Sequence, residues 1–209
     1  MFVVMNRKQQ ILETALVAFN SKGYENVSTY DISRQMRISQ GNLTYHFPTK
    51  KDLINNLAKS MIAEIDEFIL IVGDDFSILD FYDNLYKTFK INLKYKFIYM
   101  NYSQIVLNDP DLNEYFMNNL LNRKQLLFKI LKQLIQNGDL ASDSILSIND
   151  RLAGTINMIA IYWVPESEIY YPKMTDEERI NHHLDLIFMQ FIPYLSAAGK
   201  ENISAGLNH

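Results

Sequence analysis

The chain has 209 residues, 48% of them apolar, with 20 Lys/Arg against 24 Asp/Glu and no cysteine. That apolar fraction supports a sizeable core and excludes a disordered chain, while the missing cysteines exclude disulfides, thiolate catalysis and thiolate zinc sites and fit a reducing cytoplasm, the expected location. The N-terminal MFVVMNRKQQ is too briefly apolar to read as a signal peptide, and the longest apolar run, Met158 to Val164, is far short of a membrane span, so no membrane association is expected.

The net charge of −4 is unevenly placed. Residues 1–60 carry eight Lys/Arg against four Asp/Glu, and the remainder 12 against 20. A basic head on an acidic body points a polyanion at one end, although chance variation between two halves gives the same count.

The pattern is helical throughout. The first helix is expected from about Asn6 to Ser21, with Ile11, Leu12, Ala15, Leu16, Ala18 and Phe19 on one stripe and Gly23 as its C-terminal cap. A short helix follows Ser28, whose hydroxyl and Asp31 stand at capping spacing, and ends near Met36. A third follows Ser39 and stops at Phe47, because Pro48 disfavours helical geometry in the residue before it. A long fourth helix restarts at Thr49, with Asp52 at capping-box spacing and Leu53, Leu57, Met61, Ile65, Phe68 and Val72 on one face. Further helices are expected over about 77–93, 97–108, 111–136, 147–164 and 176–197, with breaks at Asn137-Gly138-Asp139 and from Pro165 through Pro172. The expected architecture is all-α: a three-helix head over 1–52, a helical body over 53–200 entered by the long helix, and a flexible tail over 201–209.

The second and third helices, joined by a short turn with Ile32 and Leu43 able to pack inward, form a helix-turn-helix pattern. In such a unit the second helix enters the major groove of double-stranded DNA. It begins Ser39-Gln40-Gly41-Asn42, and Gln and Asn side chains can each pair bidentately with adenine. Gly41 allows close backbone approach, and Thr44, Tyr45, His46 and Lys50 can donate to phosphates.

Several of these positions together resemble one family. Over residues 9–57 the amphipathic first helix ending in Phe19, then Gly23-Tyr24, Val27-Ser28, Ile32, Ile38-Ser39, Gly41-x-Leu43, Tyr45-His46-Phe47 and Lys50 before Leu53 are similar to the TetR-family DNA-binding domain. The resemblance implies a homodimer with an N-terminal DNA reader and a C-terminal domain for dimerisation and for an unidentified small-molecule effector, acting as a repressor released by ligand. It implies a candidate DNA-contacting set of Ser28, Thr29, Arg37, Ser39, Gln40, Gly41, Asn42, Thr44, Tyr45, His46 and Lys50. Two positions depart from the family pattern. Arg37 stands where Gly is usual in the turn, and Thr44 stands where Tyr usually follows the recognition-helix Leu. Further on, Phe97-Ile98-Tyr99 and Asn108-Asp109-Pro110-Asp111-Leu112 resemble the core of one TetR effector-domain subgroup.

In the body, Tyr82, Tyr86, Phe89, Tyr99, Tyr102, Phe116 and Leu127 are candidates to line a ligand cavity, against the plainer reading that they pack a core. The expected occupant is small and largely apolar. Candidates for a dimer interface are Ile159, Tyr162 and Trp163 on one helix and Leu184, Ile187, Phe188, Phe191, Ile192 and Leu195 near the last. Both stretches are apolar over more than one stripe, as helices buried on two sides are. His182 and His183 point about 100° apart, so a shared metal ion is disfavoured relative to an interface or surface role. No Gly-rich phosphate loop, metal-ligand cluster or HExxH stands in the sequence, so neither catalysis nor a cofactor is expected. A helical small-molecule-binding adaptor without DNA binding stays open as the alternative.

Overall fold

The computed structural model describes residues 6–141 and 143–206, with side chains through 203; the apolar N-terminal stretch before Asn6 and the end of the expected tail lie outside the described residues. Among those residues the architecture is all-α, with one isolated antiparallel bridge between Leu140 and Leu195. None of these helices is long and apolar enough to cross a membrane.

The head consists of α1 (Arg7–Lys22), α2 (Thr29–Gln35) and α3 (Gln40–His46), with a 3-10 turn over Tyr24–Asn26. Each α-helix starts where a side chain satisfies its free N–H groups. Asn6 and Gln9 form a capping box, as do Ser28 and Asp31, and the Ser39 side chain accepts from the Asn42 N–H. Gly23 ends the first helix at φ 79°, which a side chain would strain. Ile11, Phe19, Ile32, Leu43 and Phe47 close the head's core, joined by Leu53 of α4 (Lys50–Ile69).

The long α4 starts at a Thr49–Asp52 capping box and runs from the head into the body. The body contains α5 (Ile78–Lys94), α6 (Lys96–Met100), α7 (Tyr102–Leu107), α8 (Pro110–Gln136), α9 (Asn149–Tyr170), α10 (Asp176–Phe188) and α11 (Ala197–Gly206). α5 packs against α4, α9, α10 and α11, while α6 bridges α1 of the head and α9.

Three elements differ from the sequence expectation. The stretch expected as one helix over 97–108 is two, α6 and α7, because the Asn101 side chain donates to the Phe97 carbonyl and offers the backbone a local alternative to the helical ladder. α9 continues through Pro165 to Tyr170. The proline removes one donor, but tertiary contacts hold the last turns: Val164 and Ser167 are buried, and Glu168 accepts from Lys96 at 2.8 Å and Arg179 at 2.7 Å. The last expected helix ends at Phe188, and a separate α11 covers part of the segment expected as a flexible tail.

α11 is fastened by Asp139, whose carboxylate is buried between two elements. It accepts from the Ile78 N–H at 2.8 Å and from Asn202 Nδ2 at 2.9 Å, while the Asp139 carbonyl accepts from the Ser196 N–H at 2.9 Å. A Cβ added to Gly199 would lie 2.2 Å from that carbonyl oxygen. Gly199→Ala should therefore push α11 off α5 and lower the stability by about 1–3 kcal/mol, as overpacking does. Thermal denaturation checks this; an unchanged melting temperature would show that α11 can shift without cost.

Candidate functional site

The packing of Ile32 against the core beside Leu43 leaves the outer side of α2 and α3 to solvent. Ser28, Ser39, Gly41, Asn42 and Tyr45 are exposed, with Tyr45 at 84%. A Cβ built on Gly41 meets nothing within 4 Å, so the space beside it is open. Tyr45 and His46 touch edge to face at 5.2 Å. Arg37 adopts φ 55°, the only positive φ at a non-glycine among the described residues, and its side chain is exposed. Tyr30 and Arg34, outside the expected set, are exposed on α2.

Gln40, Thr44 and Lys50 of the expected DNA-contacting set are engaged within the chain. Gln40 is half-buried, donating from Nε2 to Thr29 Oγ1 at 2.9 Å and accepting from Ser33 Oγ at 3.0 Å, so it ties α3 to α2. Thr44 Oγ1 donates back to the Gln40 carbonyl at 3.0 Å. Lys50 lies over the rings of Tyr24 and Phe19 at 5.3 and 5.9 Å. Burial pushes its ammonium below the ordinary lysine range, against the opposing pull of Glu25. Periodicity cannot reveal the Gln40 and Lys50 pairings, because each joins separate elements, whereas the Thr44 bond is local to α3.

In the body, helices α4 to α9 line a cavity of about 350 Å³. Tyr99, Tyr102, Phe116 and Leu127 line it as expected. Tyr82, Tyr86 and Phe89 do not. Tyr82 packs on Phe188, and Phe89 stacks on Trp163 at 4.8 Å and 9°. Tyr86 lies under Lys90 at 5.2 Å. These aromatics occupy other faces of α5 and fill core or surface grooves instead. The wall missed by sequence reasoning comes from Met61, Ile62, Ile65 and Ile69 of α4, with Asn92, Asn113, Asn119, Arg123 and Asn157 as polar points. The repeated asparagines on otherwise apolar helix faces were the signal that could have found it. Asn92 is fully buried and satisfied, accepting from the Tyr99 hydroxyl at 2.6 Å and donating to the Ala160 carbonyl at 3.0 Å. Burial holds the Tyr99 phenol far above its ordinary range and pushes Tyr102 up to about 12, with Tyr162 nearby adding to the latter.

The expected interface residues divide in the same way. Trp163, Leu184, Ile187, Phe188, Phe191 and Leu195 are buried in the protomer's own core, where α10 closes over α5 and α9, so a second copy cannot reach them. Ile159 is half-buried, and Tyr162 and Ile192 are exposed. The apolar side chains left outside on α9 are Met158, Tyr162, Ile169 and Tyr170, the first three stepping by four and seven residues along one face; on and just beyond α10 they are Leu186, Met189 and Ile192. His183 is buried, with Nδ1 2.7 Å from the Arg179 carbonyl and Nε2 2.8 Å from Glu166, which removes it from the surface role expected of it. His182 packs on Tyr171 at 4.6 Å.

Head and body meet through paired contacts at three places. Asn20 donates to the Lys94 carbonyl and accepts from the Phe97 N–H, and Phe19 packs on Phe97 at 5.1 Å. Gln104 of α7 donates to Glu25 at 2.9 Å. Asp109, at the start of α8, accepts from Asn55 at 2.7 Å, pairs with Lys51 at 3.2 Å and caps the N–H groups of Asp111 and Leu112. Burial alone would raise the Asp109 carboxyl, but hydrogen bonds from Asn55, Leu112 and Lys51 hold it below its ordinary range. The segments around Phe97-Ile98-Tyr99 and Asn108-Asp109 thus form the joint, and α7 faces both ways: Tyr102 and Val106 line the cavity while Gln104 reaches the head.

Comparison with known proteins agrees with this division. Residues 11–57 match the profile of bacterial regulatory proteins of the tetR family, and residues 60–203 match that of the TetR bacterial transcriptional repressor. The chain is 29% identical over 98 residues to IcaR of Staphylococcus epidermidis, named as the negative transcriptional regulator of the biofilm operon icaADBC. That match covers 46% of this chain and about half, 53%, of the relative. With IcaR of Staphylococcus aureus the identity is 28% over 131 residues, covering 61% of this chain and 67% of that protein. In fold, the chain is similar to a TetR-family regulator from Marinobacter aquaeolei VT8, with a TM-score of 0.84 at 21% identity over 96% and 97% of the two chains. It is also similar to the ketosteroid regulator KstR2 of Mycobacterium tuberculosis, with a TM-score of 0.60 at 16% identity over 90% and 95%. With both of its parts matched by family profiles across nearly the whole described length, the chain belongs to the TetR family of bacterial transcriptional regulators.

Proposed function

We propose that the protein is a ligand-responsive repressor that binds a palindromic operator as a homodimer. The observation that carries the reading is the double role of α4 and α7. Both line the cavity, α4 begins in the head's core, and α7 bonds the head through Gln104. A ligand that fits only one arrangement of these helices shifts the population of head positions, and so the spacing of two recognition helices. The relatives named as negative regulators support repression over activation.

Within the head, the exposed Asn42 and Tyr45 are the base-facing candidates, with Gly41 admitting the DNA backbone or base edge closely. Ser28, Thr29, Ser39 and His46 border the same face, with Arg37 and Arg34 as phosphate cations. The strained φ of Arg37 is tolerable where its cation meets a phosphate. Gln40 and Lys50 act by holding α3 and α4 in place, and Thr44 is turned to its own helix.

The test is binding to duplexes from the protein's own upstream region, against scrambled duplexes, over a salt series. Asn42→Ala should relax base preference, costing on the order of 1–3 kcal/mol per bidentate pairing removed. Arg37→Ala should weaken all sequences alike and reduce the salt slope by about one unit for each phosphate that a subunit no longer neutralises. A wild-type dimer with no preference for any duplex at moderate salt would sink the repressor and leave the DNA-free adaptor.

A further inference from the structure

The cavity wall is electrostatically lopsided. Arg123 and Lys124 line it, and no Asp or Glu among the described residues does. Both cations have partners behind the wall: Lys124 pairs with Asp150 at 2.8 Å, and Arg123 Nη2 donates to Asp66 of α4. Arg123 Nη1 differs from both. It is shielded from solvent and has no acceptor. Buried guanidinium N–H groups are ordinarily bonded, and one left without a partner is a donor lacking its acceptor. Of the polar groups on the wall, Tyr99 donates to Asn92 and Asn92 donates to the Ala160 carbonyl, so neither is paired with Arg123. The Arg123 charge nevertheless bears on Tyr99, where it partly offsets the effect of burial.

We propose that the cavity takes an amphipathic monoanion: a compact apolar body carrying one carboxylate, with a carboxylate oxygen accepting from Arg123 Nη1. This rests on the cavity being the effector site. A neutral acceptor would also satisfy Nη1, but a carboxylate makes the stronger charge-assisted bond to a guanidinium. A second anionic group would find no unpaired cation on the wall, since Lys124 is already held by Asp150. The volume, at the low end of the range for small-molecule pockets, suits a compact ligand.

The experiment is calorimetric titration of the full chain with two matched pairs: octanoate against 1-octanol, and 1-naphthoate against 1-naphthalenemethanol. The acids should bind about tenfold or more tightly than their alcohols, the increment of one charge-assisted hydrogen bond. Arg123→Met should abolish that preference, read as the ratio of acid to alcohol affinity within the variant. Because this change strands Asp66, the double variant Asp66→Asn/Arg123→Met is measured beside it, and the same loss is expected. Equal binding of acid and alcohol by the wild type, or a preference that survives in both variants, overturns the carboxylate assignment while the effector cavity stands. Failure of all four probes to bind the wild type overturns the assignment together with the cavity's role.

Discussion

Replacing Tyr162 and Met189 together by Glu should convert the protein to folded monomers and lower operator affinity by about 10²–10⁴-fold, the loss expected when two linked half-site contacts become one. The proposed interface is the outer face of α9 and α10, where Met158, Tyr162, Ile169, Leu186 and Met189 are exposed in the single chain. Exposed apolar side chains on two packed helices are the pattern of a face covered by another protein surface. A two-fold dimer would place each substitution in the interface twice, and burying four unpaired carboxylates costs far more than the apolar contacts return. The choice of residues decides whether the result can be read. Phe188 is 5% exposed and touches Phe81, Tyr82 and Phe191, so charging it would unfold the protomer and mimic dissociation. Sedimentation gives the mass, and circular dichroism with thermal melting confirms that the variant is folded. A variant that remains a dimer would remove this face from the interface.

The second large effect is expected at Asp109→Ala. This carboxylate caps α8 and accepts from Asn55 and Lys51 of α4, so one side chain joins the reader's exit helix to the body. Loss of the cap and of charge-assisted bonds should cost about 2–3 kcal/mol. The variant should also bind operator with less dependence on effector, because motion of α7 and α8 is no longer passed to α4 through this carboxylate. The carboxyl is held below its ordinary range in the folded protein, so its contribution is fully present above the unfolded value, near 4, and is lost as pH falls through the lower folded value. Stability of the wild type should therefore fall on acidification below about pH 4 more steeply than that of Asp109→Asn. Parallel acid-denaturation curves would show that Asp109 is not a stabilising carboxylate, and unchanged effector coupling would place the transmission elsewhere.

Much of the head was legible because its signals are local. Ser28 with Asp31, Ser39, Thr49 with Asp52 and Pro48 after Phe47 mark helix ends through bonds and clashes spanning three or four residues. The stripe Ile11, Ala15, Phe19 identifies its buried face by period alone. The departures lie where a distant residue outweighs the local signal. Pro165 should have ended α9, yet Lys96 and Arg179 reach Glu168 beyond it. Ser196 should have continued the last helix, yet the Ser196 N–H donates to the Asp139 carbonyl from across the chain.

The side-chain assignments show the same boundary. Sequence alone determined the all-helical class, the helix-turn-helix head, the positions of Asn42 and Tyr45 on the recognition helix, and the supply of aromatics in the body, because each follows from residue type and spacing along one helix. Only the tertiary structure decided which apolar face of a twice-buried helix looks inward. It set Phe188 and Trp163 into the protomer's core, left Tyr162 and Met189 outside, turned Phe89 onto Trp163 rather than into the cavity, and brought Arg123 to the cavity wall. An amphipathic pattern records how much of a helix is apolar, but the neighbour each face meets depends on the crossing of other helices, which no spacing within one helix encodes.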